Sequence, residues 1–426
     1  MRFCDGGSVS WVLALGLGAA CGGDDDGAGP GQDGGGGGVV EVTTYFGEVP
    51  EPVAFAAVQD GDGAWERLES EDGVYSFEVE SGRYGFAHAC EPDSLVISFF
   101  YSTVEEGARA NRGCFRQPGD GDENEATVLI TVNGLEADEI AQVSVASSES
   151  AVYDGAPMTG LYGVPAGARD VFVTVAPNFN NPVERILVER DIELAAGETL
   201  ELEVDVAEAV AATQHTITLE GYEPSPISDV YLETRNGSRP RLGTYREFPV
   251  YAGFPDAIAT DMYRVLVDSG SYSTSPTTHY FTRTPGDLTF TEPPPLTIDD
   301  ASAATTTPHV RAQLSFDRTD GAAYSFSFRN FRPDRIIEGY LSAGWLGGQP
   351  SSFSWEQPDL SGLAGWAESF ALIDDQEVTA TVTEFVGDVD PLVVLPQVPP
   401  SHQVEYTDDL DGKSVSLVVA TATFAP

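Results

Sequence analysis

A two-residue rhythm of apolar and polar side chains, broken repeatedly by glycine turns, restricts this chain more than any other feature. It is clearest over 74–84, VYSFEVESGRY, where Tyr75, Phe77 and Val79 alternate with Ser76, Glu78 and Glu80 before a Ser81-Gly82 turn. Alternation at period two places one set of side chains on each face of a strand, so one face is buried while the other stays wet. Helices need a period of about 3.6 and few breakers. With 45 Gly and 28 Pro among 426 residues, the chain predicts an all-β fold with many turns. That length exceeds one ordinary core, and two to four domains of roughly 100–200 residues are expected.

The same phrase returns at 263–272, YRVLVDSGSY against YSFEVESGRY at 75–84, and a fainter echo is GLYGVPAGARDVFVTV at 160–175. An alternating strand, a glycine turn and a second strand opening on tyrosine resemble the transthyretin-like or carboxypeptidase-regulatory-like β-sandwiches of secreted bacterial proteins. The resemblance implies small Greek-key, Ig-like sandwiches that act as scaffold or binding modules. Stretches that cannot pack divide the body: the polar run 117–125 (QPGDGDENE) and the Pro/Thr-rich run 292–308. The expected organisation is a signal peptide over 1–20, a tether over 21–38, and sandwich modules over 39–117, 126–212 and 213–291. A stiff linker over 292–308 and a final β module over 309–426 complete it. In the third module Asn236-Gly237 predicts a hairpin turn, and 414–424 (SVSLVVATATF) is apolar enough for a central strand.

The apolar run 9–20 (VSWVLALGLGAA) ends at Cys21. As a helix it spans about 18 Å, too short for a bilayer but suited to the h-region of a signal peptide. Ala19 and Ala20 before Cys21 resemble the lipobox of bacterial lipoproteins, although Gly18 stands where that family has leucine and the n-region carries only Arg2. The resemblance implies cleavage before Cys21 and a diacylglyceryl group on its sulfur. The chain would then be membrane-anchored at the cell envelope, on a periplasmic or cell-surface face. A plain secretory signal is the other reading. With Cys4 removed and Cys21 lipidated, Cys90 and Cys114 remain as a pair, which an oxidising compartment joins as a disulfide. Residues 22–38, GGDDDGAGPGQDGGGGG, cannot pack and read as a flexible tether.

Acidic residues number 68 against 21 basic, a net charge of −47. Such a surface repels nucleic acid and anionic head groups, keeps the chain soluble and attracts cations. Calcium is therefore the one metal to consider, at Asp60 and Asp62 in the DGDG run. Alternating carboxylates and glycines suit a calcium loop there, but Asp-Gly is first of all the signal of a plain hairpin turn. Asp72 lies near the far end of such a loop, where a bidentate glutamate would be needed; Asp408, Asp409 and Asp411 raise the same pair of readings. Trp345, Trp355 and Trp366 gather in the last module, either as platforms for a glycan or protein ligand or as core filling. Arg235, Arg239, Arg241 and Arg246 ring the Asn236-Gly237 turn, either to meet a partner's carboxylates or to neutralise neighbouring acids.

No catalytic motif is present: no G-x-S-x-G elbow, H-E-x-x-H, P-loop or dinucleotide fingerprint. The histidines (His88, His215, His279, His309 and His402) are scattered. The expectation is a non-enzymatic, membrane-anchored scaffold or binding protein of the cell envelope without a cofactor. A calcium- or glycan-binding surface adhesin is the first alternative and a secreted hydrolase with a non-local site the second.

Overall fold

The computed structural model describes residues 37–426 apart from 47–48, 115–124, 147, 179–180, 223–226, 246–249, 269–275, 320–321, 332–333, 348–350 and 390–409. The stretch expected to be a signal peptide, Cys4, Cys21, almost all of the expected tether, Arg246, His402, Asp408 and Asp409 thus lie outside the described residues. Within them the chain is nearly all-β: apart from two four-residue α-helices and two 3₁₀ turns, its regular elements are strands arranged in several packed sheets.

A twelve-stranded sheet carries the architecture. From one edge it runs Arg241–Tyr245, Ile227–Glu233, Met262–Asp268, Thr277–Thr282, Ser414–Phe424 and Val378–Gly387. It continues through Ala323–Phe331, Asp334–Leu341, Val96–Thr103, Arg83–Ala89 and Phe55–Asp60 to Glu66–Arg67. Ser414–Phe424 is central, as its apolar run predicts. One sheet thus draws strands from three segments that sequence breaks had set apart. The join between the first and last segments is parallel, Val96–Thr103 against Asp334–Leu341. Hydrophobic periodicity registers a strand and its faces but not a partner some 240 positions away, so local reading gives modules where the sheet is continuous.

Smaller sheets cover its faces. Gly38–Phe46, paired with Val74–Val79 and Arg109–Cys114, encloses a core with Tyr75, Tyr84, Phe86 and Phe100. Ile298–Thr305, Arg311–Asp317 and Ser352–Glu356 form another cover, over Phe99, Phe316, Tyr324, Phe328 and Trp355. Half of the stretch expected to be a stiff linker is therefore a strand. Between Pro295 and Pro308 it has no proline, and Ala301 and Ala303 are small enough to pack partly buried against the core. The segment 125–211 holds its own valine-rich core between a five-stranded and a three-stranded sheet.

The repeated glycine-turn phrase folds in two ways. Val74–Val79 and Arg83–Ala89 belong to opposite sheets, so the Ser81-Gly82 turn carries the chain across the sandwich instead of closing a hairpin. The echo at 160–175 does the same, from Met158–Pro165 in one sheet to Gly167–Ala176 in the other. The closer match in words, 263–272, starts a true hairpin between Met262–Asp268 and Thr277–Thr282. Asp60 accounts for the first crossing: its carboxylate accepts the N–H groups of Glu80 (2.9 Å) and Ser81 (3.1 Å) and the Ser81 hydroxyl (2.6 Å). Gly82 there has φ of +75°, a left-handed conformation that glycine adopts without a side-chain clash.

Candidate functional site

The face of the large sheet opposite Phe99 and Phe326, covered at one end by the sheet of Gly38–Phe46 and open further along, carries a cross-strand row set by register alone. His88 lies opposite Ser98, Ser98 opposite Glu338, Glu338 opposite Ser327, and Ser327 opposite Thr381. The next row is Phe86, Phe100, Tyr340, Ser325 and Thr383. Neighbouring strands are about 4.8 Å apart, so the first row sets polar side chains at regular intervals across five strands. Their in-facing neighbours (Phe99, Phe326, Ile337 and Val382) are buried in the core, which is the alternation of a half-buried sheet. Gly339 has a packing reason: a side-chain carbon there would lie 2.2 Å from the Phe326 ring.

All of these row residues except Phe86 line a groove of about 480 Å³. Phe100 and Tyr340 stack as its floor, with ring centroids 5.3 Å apart and planes 8° from parallel. Glu338 is exposed and accepts the Ser98 hydroxyl at 2.5 Å. At one end the groove meets Arg112, whose guanidinium lies 3.5 Å over the Phe100 ring centroid and donates to the Asn111 carbonyl at 2.8 Å. Beside it is His88, only 4% exposed, whose Nδ1 has no hydrogen-bond partner. Burial, helped by the nearby Arg112 charge, pushes its imidazole down to about 3, so the ring is neutral near pH 7.

Cys90 and Cys114 close that end. They form the expected disulfide, with Cα atoms 5.7 Å apart, inside the span such a bond allows. It ties the large sheet to the cover sheet. A ligand-type atom of His88 and the two sulfurs all lie within 4.8 Å of one another.

The residues singled out by sequence fall elsewhere. The Asp60 carboxylate is occupied by the crossing turn, and the Ser81 hydroxyl is the largest influence holding it below the ordinary aspartate value. Asp62 pairs with Arg83 at 3.1 Å on the surface. Asp72 accepts from Ser70 and the Val74 N–H, and Asp411 accepts the Arg283 N–H at 2.8 Å. Trp345 and Trp355 are buried. Trp355 donates to the Tyr101 hydroxyl at 3.0 Å and packs on Phe326 and Phe328, while Trp345 lies beneath the Arg83 guanidinium. A buried ring offers no stacking face to a sugar, so these two act as core. Trp366 is half-buried against His309, with ring centroids 4.9 Å apart. The arginines near the Asn236-Gly237 turn meet acids of their own chain: Arg235 with Asp191 (2.7 Å), Arg239 with Glu233 (3.2 Å) and Arg241 with Asp229 (3.9 Å).

Sequence reasoning missed Ser98, Ser327, Glu338, Tyr340 and Thr381. Each sits on the same face of an alternating strand, in VISFFY, SFSFRN, IIEGYL and TATVTEF. That they converge depends on pairing between distant strands.

No protein-family model matches the chain, and no curated protein matches it in sequence. Among solved structures, the Bacillus anthracis TIE protein is 11% identical over 60% of this chain and 50% of that one, with a TM-score of 0.16. The chain thus spans about half the length of that structure. A tetra-tandem repeat from the extending region of a large adhesion protein is 9% identical over 91% of this chain and 99% of that one, also with a TM-score of 0.16.

Proposed function

We propose that the chain is an exported, non-enzymatic binding protein of the cell envelope. In this reading it is anchored to a membrane through a lipid on Cys21 and holds a neutral, hydroxyl-rich ligand of the sugar class in the groove. The observation that carries this reading is the cross-strand row Ser98, Glu338, Ser327 and Thr381 beside an aromatic floor. Short hydroxylated side chains on a rigid sheet donate and accept in either sense, which suits a ligand that is itself a set of hydroxyls. The groove volume falls in the usual range of small-molecule sites, and the strongly acidic surface disfavours polyanions. The disulfide is consistent with an oxidising compartment.

A glycan array followed by calorimetry tests the ligand. A hit is expected, and Ser327→Trp, which fills the groove from an outward position, weakens it about tenfold or more, roughly 1.4 kcal/mol. An empty array, or a hit indifferent to Ser327→Trp, overturns the groove assignment. Labelled palmitate tests the anchor separately: it enters the wild-type chain and not Cys21→Ala, and failure to label the wild type removes the anchor while leaving the groove untouched.

A further inference from the structure

The closed end of the groove holds a feature that sugar binding does not use. His88 is 4% exposed and its Nδ1 has no hydrogen-bond partner, whereas buried polar atoms are nearly always satisfied. What the ring faces is sulfur. One of its nitrogens and the Sγ atoms of Cys90 and Cys114 lie within 4.8 Å of one another. Two cysteines and one histidine on a rigid frame are the donor set of a thiophilic ion that keeps an open position.

We propose that His88, Cys90 and Cys114 form a thiol-gated metal site, masked while the disulfide is closed and able to bind one zinc-type divalent ion once an external dithiol has reduced it. Cys90 is the point of entry, because it is half-buried and lines the groove while Cys114 is 3% exposed. A thiolate of the dithiol attacks the Cys90 sulfur, the S–S bond breaks and Cys114 leaves as a thiolate. The dithiol's second thiolate then displaces Cys90 and departs as a cyclic disulfide. Two electrons have passed to the protein, which now holds two thiolates. The ion takes both sulfurs and an imidazole nitrogen, expelling any proton the thiols have picked up. The groove side supplies the fourth, exchangeable position. This inference is independent of what the groove itself binds.

The test uses the full chain with Cys4 and Cys21 replaced by serine, so that Cys90 and Cys114 hold the only thiols. The protein is reduced with dithiothreitol, desalted without oxygen and titrated with cobalt(II) as a spectroscopic stand-in for zinc. The expected result is one cobalt per chain with a sulfur-to-cobalt charge-transfer band, absent from the oxidised protein. His88→Gln weakens binding about tenfold or more, and Cys90→Ser, which keeps the imidazole but lacks the dithiol, abolishes the band. No band in the reduced protein, equal binding by the oxidised protein, or undiminished affinity in His88→Gln each overturns the proposal. Should His88→Gln fail to fold, the Cys90→Ser comparison decides.

Discussion

His88 shows how a single residue couples burial to pH. A free imidazole takes up a proton near 6.5, but in the folded chain it does so only at about 3. Below 6.5 the unfolded chain therefore gains a proton that the folded chain refuses, and stability falls; above 6.5 both are neutral and the effect vanishes. At pH 5 the loss from His88 amounts to about 2 kcal/mol. His279, buried near Arg264 and also held well below 6.5, adds loss in the same direction. Urea unfolding at pH 7 and pH 5 checks this: His88→Gln is expected to lose about 2 kcal/mol less than wild type between the two. An equal loss would mean that His88 protonates inside the fold.

At the scale of elements, the crossing turns and the contact between the second and third segments carry the argument. Arg190 lies between two buried carboxylates, donating to Asp170 at 3.2 Å and to Asp261 at 2.6 Å. Asp170 also accepts from Asn236 at 2.8 Å and from the Asp191 N–H at 3.0 Å, which pins the Asn236-Gly237 turn of one segment to a sheet of the other. Arg190→Leu leaves Asp170 and Asp261 buried without their cation, and a loss of roughly 3–5 kcal/mol in urea unfolding is expected. A loss near zero would show that Arg190 adds no net stability at this contact. Strands and turn tips were legible because both are local: Tyr75 and Val79 are buried where alternation puts them, and Asn236-Gly237 is a hairpin tip. What a glycine turn joins was not legible. The same Ser-Gly wording crosses a sandwich at 81–82, where Asp60 holds it, and follows a hairpin strand at 262–268.

For the whole molecule, the decisive contact is between Val96–Thr103 and Asp334–Leu341. It is reinforced by Ser98 on Glu338 (2.5 Å), Trp355 on Tyr101 (3.0 Å), and Glu106, which accepts the Gly344 N–H at 2.7 Å and the Ser342 hydroxyl. The groove exists because of this pairing, since two residues of each row come from 86–100 and the other three from 325–383. That is why the site was hidden in sequence while the disulfide was not: four cysteines can be counted, but a register across some 240 positions cannot. Hydrogen exchange on the intact chain tests this most directly. The account predicts that amides of Val96–Thr103 are protected as strongly as those of Asp334–Leu341, because both strands are interior to one sheet. Fast exchange along Val96–Thr103 with Asp334–Leu341 still protected would make it an edge strand, and the groove with its cross-strand row would not exist.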